Sequence, residues 1–148
     1  MHGRIREYAE LKKGIWNDTK TINRLMKSLE HTQAVNAFVT DVVTHGSRGK
    51  KPLKITVIRG YGDRSKEVKL NSRIAARISH KAFLLRKLSG REEEVRTLVN
   101  AIRDERLKAI VSARLFGGTD RLLTWQEVGK VTGMTPTAAQ KAFERFTT

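Results

Sequence analysis

The sequence predicts a mainly α-helical protein: a long coiled-coil-like helical region, a small basic β-hairpin or loop, a second amphipathic helical region and a C-terminal helix-turn-helix domain. Three observations predict this fold class. Apolar residues recur at helical spacing towards both ends of the chain. Basic residues concentrate in the middle, around a stretch that contains Gly and Pro. The last part combines two helix N-cap patterns with a glycine turn, which is typical of two short helices that cross.

Residues 1–45 are predicted to form one long helix that pairs with another helix. Lys12 and Thr19 interrupt its apolar stripe. The stripe follows roughly a seven-residue repeat: Ile5, Tyr8, Ile15, Ile22, Met26 and Leu29. Its partner is either a later helix of the same chain or a second copy. Such a stripe needs a partner. Two helix-turn-helix domains in one dimer would also gain affinity by binding two neighbouring half-sites, so we expect a homodimer formed through this helix.

Residues 46–71 are predicted to form a basic loop or hairpin. Residues 46–52 contain the Gly, Ser and Pro that are typical of loops. Apolar and polar residues alternate at 53–57 and again at 68–70, which is the period of a half-buried strand. An isolated two-stranded hairpin is only marginally stable. The sequence is therefore consistent both with a hairpin and with a disordered basic loop.

Residues 72–103 are predicted to form the second helical region, which begins near residues 71–72. The pattern of a capping box at 89–92 predicts a break and restart of this helix. Residues 104–148 then form the helix-turn-helix domain, in which two glycines at 117–118 end the first helix. Two clean apolar faces are expected to be buried: Val95, Leu98, Val99 and Ile102, and then Leu107, Ile110, Val111 and Leu115.

The helix-turn-helix pattern occupies residues 124–146. Thr124 and Glu127 match a capping box at the start of its first helix. Gly129 stands where two crossing helices require a small side chain, and Gly133 stands where the turn needs a left-handed residue. Eight residues are expected to face inward: Trp125, Val128, Val131, Met134, Ala139, Ala142, Phe143 and Phe146.

The second motif helix carries the residues that we expect to contact DNA. Thr135 is a good N-cap and Pro136 fits the first helical position. Such a helix enters the major groove by its N-terminal end. Gln140 can read adenine, while Lys141 and Arg145 suit phosphates. The expected contacts are Thr135, Thr137, Ala138, Gln140, Lys141 and Arg145.

The charge of the chain also favours a nucleic-acid partner. Thirty Lys and Arg residues against fifteen Asp and Glu residues give a formal net charge of +15. Residues 44–87 hold thirteen of the basic residues and only two of the acidic ones. Basic side chains that neutralise phosphates release condensed counterions and so drive binding. We therefore expect the middle of the chain to hold DNA phosphates, through Lys50, Lys51, Lys54 and Arg59.

The run at 102–110, followed by Trp125, Glu127 and Val128, resembles the phage transcriptional regulators of the ArpU and RinA type. The C-terminal part of these proteins is similar to sigma factor region 4. The resemblance covers mainly the last part of the chain, and the chain departs from the pattern in its basic middle and in Gly129, where alanine is usual. It implies an activator of late phage genes that acts at a promoter, with bacterial RNA polymerase as a further partner.

Composition argues against several other classes of protein. The chain has no Cys, and no two of its four His residues stand at a zinc-like spacing, so no metal, cofactor or catalytic residue is expected. No segment has the pattern of a signal peptide or of a membrane span, which predicts a cytoplasmic protein. The resemblance to phage regulators implies that this is the cytoplasm of a bacterial host cell. Asp63, Glu67 and Lys69 loosely resemble a metal-dependent nuclease site, but their spacing is too short.

Two other DNA- or RNA-binding classes remain open. A small terminase subunit, which recognises phage DNA for packaging, also joins a helix-turn-helix to long oligomerising helices. Its motif is usually near the N-terminus, whereas here it is C-terminal. A non-specific architectural or RNA-binding protein would use only the basic middle, where Tyr61 is the sole aromatic residue of the predicted loop.

Overall fold

A computed structural model of the protein describes the backbone of residues 2–46 and 52–148 and the side chains of residues 2–36 and 64–148. The described backbone is mainly helical and contains no strand. Its helices are α1 (His2–Gly46), α2 (Pro52–Asn100), α3 (Glu105–Phe116), α4 (Trp125–Thr132) and α5 (Pro136–Thr147). None of these helices combines the length and the hydropathy needed to cross a lipid bilayer within the part of the chain that is described.

The chain divides into two compact units. The first, which we call the core unit, comprises Met1–Asn17 and Lys81–Thr148, and the second, the helical-pair unit, comprises Asp18–His80. The core unit therefore contains the first turns of α1, the last turns of α2 and all of α3, α4 and α5. The helical-pair unit contains the remaining parts of α1 and α2.

One hydrophobic core joins the helices of the core unit. Ile5 and Tyr8 of α1 are buried in the same cluster as Val95 and Val99 of α2. The cluster is completed by residues from α1, α3, the loop after it, α4 and α5: Ala9, Ile110, Val111, Ala113, Leu115, Leu122, Val128, Ala139 and Phe143. The apolar stripe at the start of α1 thus has a partner within the chain. The first part of the stripe therefore does not require a second copy of the chain. The homodimer stays a prediction.

Lys12 does not interrupt the stripe of α1 but belongs to the packed interior. The residue is only 8% exposed, and its Nζ donates a hydrogen bond of 2.5 Å to the carbonyl of Leu115 at the end of α3. Its ammonium group lies 5.8 Å from the ring centre of Tyr8 and 5.7 Å from that of Phe116. Burial lowers the pKa of Lys12 from its ordinary value. A cation at the C-terminal end of a helix is electrostatically favourable, so Lys12 ties α1 to α3.

In the helical-pair unit, α1 and α2 run antiparallel and are joined by polar contacts. The buried carboxylate of Asp18 accepts a hydrogen bond of 3.3 Å from Arg77 and lies 2.5 Å from Nδ1 of His80. Further along, Asn36 Nδ2 donates to Glu67 at 2.5 Å. Ile22 and Leu25 of α1 are buried here, whereas Met26, which was expected to be buried, is 47% exposed.

The predicted β-hairpin is wrong, because α2 already begins at Pro52 and the backbone of 53–70 is helical. The alternation at 53–57 covers only three apolar positions, and Val57 and Ile58 are adjacent, so the pattern fits a helix as well as a strand. Pro52 suits the first turn of a helix. Extending an existing helix needs no new nucleation, whereas a lone hairpin is marginally stable.

The predicted break at 89–92 is also wrong, since α2 continues to Asn100. Arg96 donates to Glu92 at 2.9 Å, an i, i+4 pair that supports the continuous helix. The chain leaves the helix only at residues 101–104, where Asp104 accepts hydrogen bonds from the N–H groups of Arg106 and Leu107 and caps α3. The stronger cap, followed by a helix with its own buried face, marks the true boundary.

Candidate nucleic-acid interface

α3, α4 and α5 pack against one another and place the predicted helix-turn-helix motif on α4 and α5. α4 starts as predicted: Thr124 is the N-cap, and its hydroxyl oxygen accepts a hydrogen bond of 3.3 Å from the N–H of Glu127. The carboxylate of Glu127 accepts from the Thr124 hydroxyl at 3.0 Å and from Arg121 at 2.9 Å. Hydrogen bonds from Arg121 first, and from Thr124, lower the pKa of Glu127.

The turn between α4 and α5 depends on two glycines. Gly133 has φ of 72°, a left-handed conformation that favours glycine, and it ends α4. Gly129 accepts a hydrogen bond of 3.0 Å from the N–H of Met134. A Cβ at position 129 would lie 2.6 Å from the carbonyl oxygen of Met134. The backbone of the turn therefore requires a small residue at position 129. The sequence predicts a small residue here for another reason, the crossing of two helices.

α5 begins with the predicted cap. The hydroxyl oxygen of Thr135 accepts a hydrogen bond of 3.3 Å from the N–H of Ala138, and Pro136 occupies the first turn. Thr135 was expected to contact DNA, and this bond commits its oxygen to capping. On the inner side of α5, Ala139 and Phe143 are buried.

The side of α5 that points away from this core is exposed. We call it the outer face, and it consists of Thr137, Ala138, Lys141 and Arg145. These are four of the residues that the sequence proposes as DNA contacts. Their spacing places them along one strip of the helix surface, starting in its first turn. The strip offers a hydroxyl, a methyl and two cations, and the exposed carboxylate of Glu144 lies beside it.

Gln140 lies at the edge of this strip. It is exposed, but its Nε2 donates to the Glu144 carboxylate at 3.0 Å. Both residues line a recess of about 360 Å³ that is also bordered by Arg6 and Lys13 of α1. A base contact by Gln140 would have to replace the bond to Glu144. Gln140 is therefore a weaker reader than its residue type suggested.

A tilted aromatic pair joins α4 to α5, and an arginine of α3 lies over one of its rings. The Trp125 ring lies 5.4 Å from that of Phe143, centre to centre. The guanidinium carbon of Arg114 lies 4.4 Å from the Trp125 ring centre, and Arg114 also donates to the carbonyl of Leu123. Burial lowers the pKa of Arg114 from its ordinary value. Val131 is predicted to join this interior, and that prediction is wrong, since the residue is 69% exposed.

The structure brings basic residues to the motif that sequence reasoning missed. Arg106, at the start of α3, lines a shallow groove with Arg145 and Met134. Arg6 and Lys13 border the recess beside Gln140 on the opposite flank of α5. These cations come from separate elements and share no sequence pattern with α5. Only the packing of α1 and α3 against the motif reveals them.

The predicted phosphate contacts of the middle are Lys50, Lys51, Lys54 and Arg59. Lys50 and Lys51 fall outside the described residues. Lys54 and Arg59 lie on the backbone of α2, and their side chains are likewise outside the described residues. For the nuclease alternative, Glu67 is hydrogen bonded to Asn36, and no cluster of three metal-ligating side chains occurs among the residues that were described.

Comparison of the chain with known proteins found no matching family model, no matching curated protein and no matching solved structure.

Proposed function

We propose that the protein is a sequence-specific DNA-binding transcriptional regulator that reads double-stranded DNA with the outer face of α5. The observation that carries this proposal is the exposed strip Thr137–Ala138–Lys141–Arg145 on a capped helix whose opposite side is buried. A reading helix needs a fixed backbone and free side chains at its N-terminal end, and α5 has both.

The roles of the strip follow from its chemistry. Thr137 and Ala138 lie in the first turn, where side chains reach base edges, and the methyl group of Ala138 suits contact with a thymine methyl. Lys141 and Arg145 lie further along and suit phosphates on either side of the groove. Arg106 adds a cation beside Arg145. The formal net charge of +15 supplies long-range attraction to the duplex.

The test is selection of bound duplexes from a random pool, followed by affinity measurement on the enriched sequence. We expect Thr137→Ala to relax preference at one base position, by about 5- to 100-fold for the contacted base pair. Lys141→Ala should weaken binding to all sequences alike and lower the slope of log K against log salt by about 0.9. Thr119→Ala, an exposed threonine outside α5, is the matched control and should change neither quantity.

Two outcomes of the selection would contradict the proposal. If no sequence is enriched, the protein is a non-specific binder, the alternative that its basic composition favours. If an enriched sequence keeps its preference in Thr137→Ala and in Ala138→Asp, the reading surface lies elsewhere.

The narrower part of the proposal is an activator of late phage genes that acts at a promoter in the bacterial cytoplasm and contacts RNA polymerase. Run-off transcription with purified polymerase, with and without the protein, tests it on a template that carries the selected sequence. Mass measurement in solution tests the homodimer. A ring of about eight or more subunits would instead favour the small terminase class, because such subunits assemble into closed rings.

A further inference from the structure

The helical-pair unit contains a basic recess between α1 and α2, and no residue of α5 lines it. Its volume is about 560 Å³, and we call it the arginine recess. Its polar lining consists of Thr21 and Arg24 from α1 and of Arg73, Arg77 and His80 from α2.

The recess carries uncompensated positive charge. Arg77 is paired with the buried Asp18, whose side chain is 3% exposed. Asp18 also binds His80, so one carboxylate serves two basic groups. Arg24 and Arg73 form no ion pair within the described residues, and no acidic side chain lines the recess there. Two guanidinium groups are thus left for a ligand, while Asp18 holds the third in place.

The chemistry of the lining selects an oxyanion. Three guanidinium groups present only donors, and the Thr21 hydroxyl adds another at the same recess. Planar guanidinium groups bind phosphate oxygens through two parallel hydrogen bonds. No carboxylate in the described lining competes with a phosphate for the donors of Arg24 and Arg73. Leu25, which is 9% exposed, is an apolar residue of the same lining.

The surroundings favour a phosphate that belongs to a polymer. The unit holds thirteen basic and five acidic residues in sequence. Lys20, Lys27 and Lys69 are exposed on the same two helices outside the recess. A free phosphate or a nucleotide would need a small enclosed site, whereas an extended basic surface matches the repeating charge of a nucleic-acid backbone.

We propose that the arginine recess is a binding site for a phosphate of the DNA backbone, held by Arg24, Arg73 and Arg77. The choice of DNA as ligand rests on the function proposed for α5. The recess would supply affinity without sequence preference, which is the role that the composition assigns to the middle of the chain.

The first experiment measures duplex binding of the full chain as a function of salt. Arg24→Gln/Arg73→Gln should lower the slope of log K against log salt by about 0.9, because the phosphate contact of the recess is lost. It should leave the preferred sequence unchanged. Lys20→Gln/Lys27→Gln removes the same charge from the same unit and should lower the slope much less. Equal slopes for the two double variants, or an unchanged slope in the recess variant, would overturn the proposal.

The second experiment needs no DNA. Pyrophosphate is titrated into the wild-type protein while the arginine side-chain Nε–Hε resonances are followed by NMR. We expect saturable shifts that disappear in Arg24→Gln/Arg73→Gln, and absence of such shifts would overturn the site. Shifts in a protein that binds no duplex would remove DNA as the ligand. If the recess variant has a lower salt slope but Thr137→Ala keeps its sequence preference, the reading role of α5 is refuted while the phosphate site of the recess is supported.

Discussion

The two units of the molecule differ in what holds their described parts together. The core unit buries a continuous cluster of aliphatic and aromatic side chains, several of which, such as Leu115 and Val128, have no exposed area. The helical-pair unit buries Ile22 and Leu25 and joins its helices through charged or polar groups such as Asp18. Packing joins the helices of the first unit, whereas polar contacts add to the packing in the described part of the second.

This difference suits the two roles that we propose. Reading a base edge requires side chains held to within a fraction of an ångström, which needs a rigid, close-packed backbone. Holding a phosphate requires cations at the surface and tolerates small displacements, because ionic attraction falls off slowly with distance. The predictions that follow test whether the units really differ in this way.

The largest expected effect comes from truncating a leucine in each unit. Leu115→Ala should lower the free energy of unfolding by about 3–5 kcal/mol, because a fully buried leucine leaves a cavity in a packed core. Leu25→Ala is the matched substitution in the helical-pair unit. It should cost about 2 kcal/mol, since Leu25 lies beside an open recess that collapses or hydrates more easily. Equal losses in denaturant unfolding would mean that both units are packed alike.

The next effect separates a glycine that the fold requires from one that it tolerates. Gly129→Ala brings a Cβ to 2.6 Å from the Met134 carbonyl oxygen, a backbone atom that cannot rotate away. We expect a loss of about 1–2 kcal/mol and weaker sequence preference, because the turn before α5 must shift. Gly90→Ala is the control: nothing lies within 4 Å of its Cβ, and helix propensity should add about 0.5–1 kcal/mol. Stabilisation by both substitutions would show that the turn is not tightly set.

The C-terminal motif could be predicted because its signals are local. The caps at Thr124 and Thr135 and the left-handed Gly133 depend on residues only a few positions away, and all three stand as the sequence predicts. The outer face follows from helical periodicity once the caps are known. The prediction that Val131 is buried is wrong, because a helix of eight residues has too few turns for periodicity to separate its flank from its inner side.

The middle of the chain could not be predicted by the same means. An alternation of three apolar residues does not distinguish a strand from a helix. Arg73 and Arg77 are far in sequence from Asp18 and Arg24, so no spacing predicts the arginine recess. Lys12 reads as a gap in an apolar stripe, and only the carbonyl of Leu115 explains why a lysine is buried there.

The smallest effect tests the polar contacts at the start of α4, where the core unit uses charge rather than packing. Hydrogen bonds from Arg121 and Thr124 lower the pKa of Glu127 from its ordinary value of 4.5. A carboxylate with a depressed folded-state pKa adds stability above its unfolded pKa and loses that contribution as pH falls through the folded value. Glu127→Gln should therefore melt at a lower temperature than wild type at pH 7, and the gap should close on acidification below about pH 4. Glu93→Gln, an exposed carboxylate that makes no ion pair within the described residues, should follow the wild-type curve. A gap for Glu127→Gln that stays constant with pH would show that the side chain acts through its shape and not through its charge.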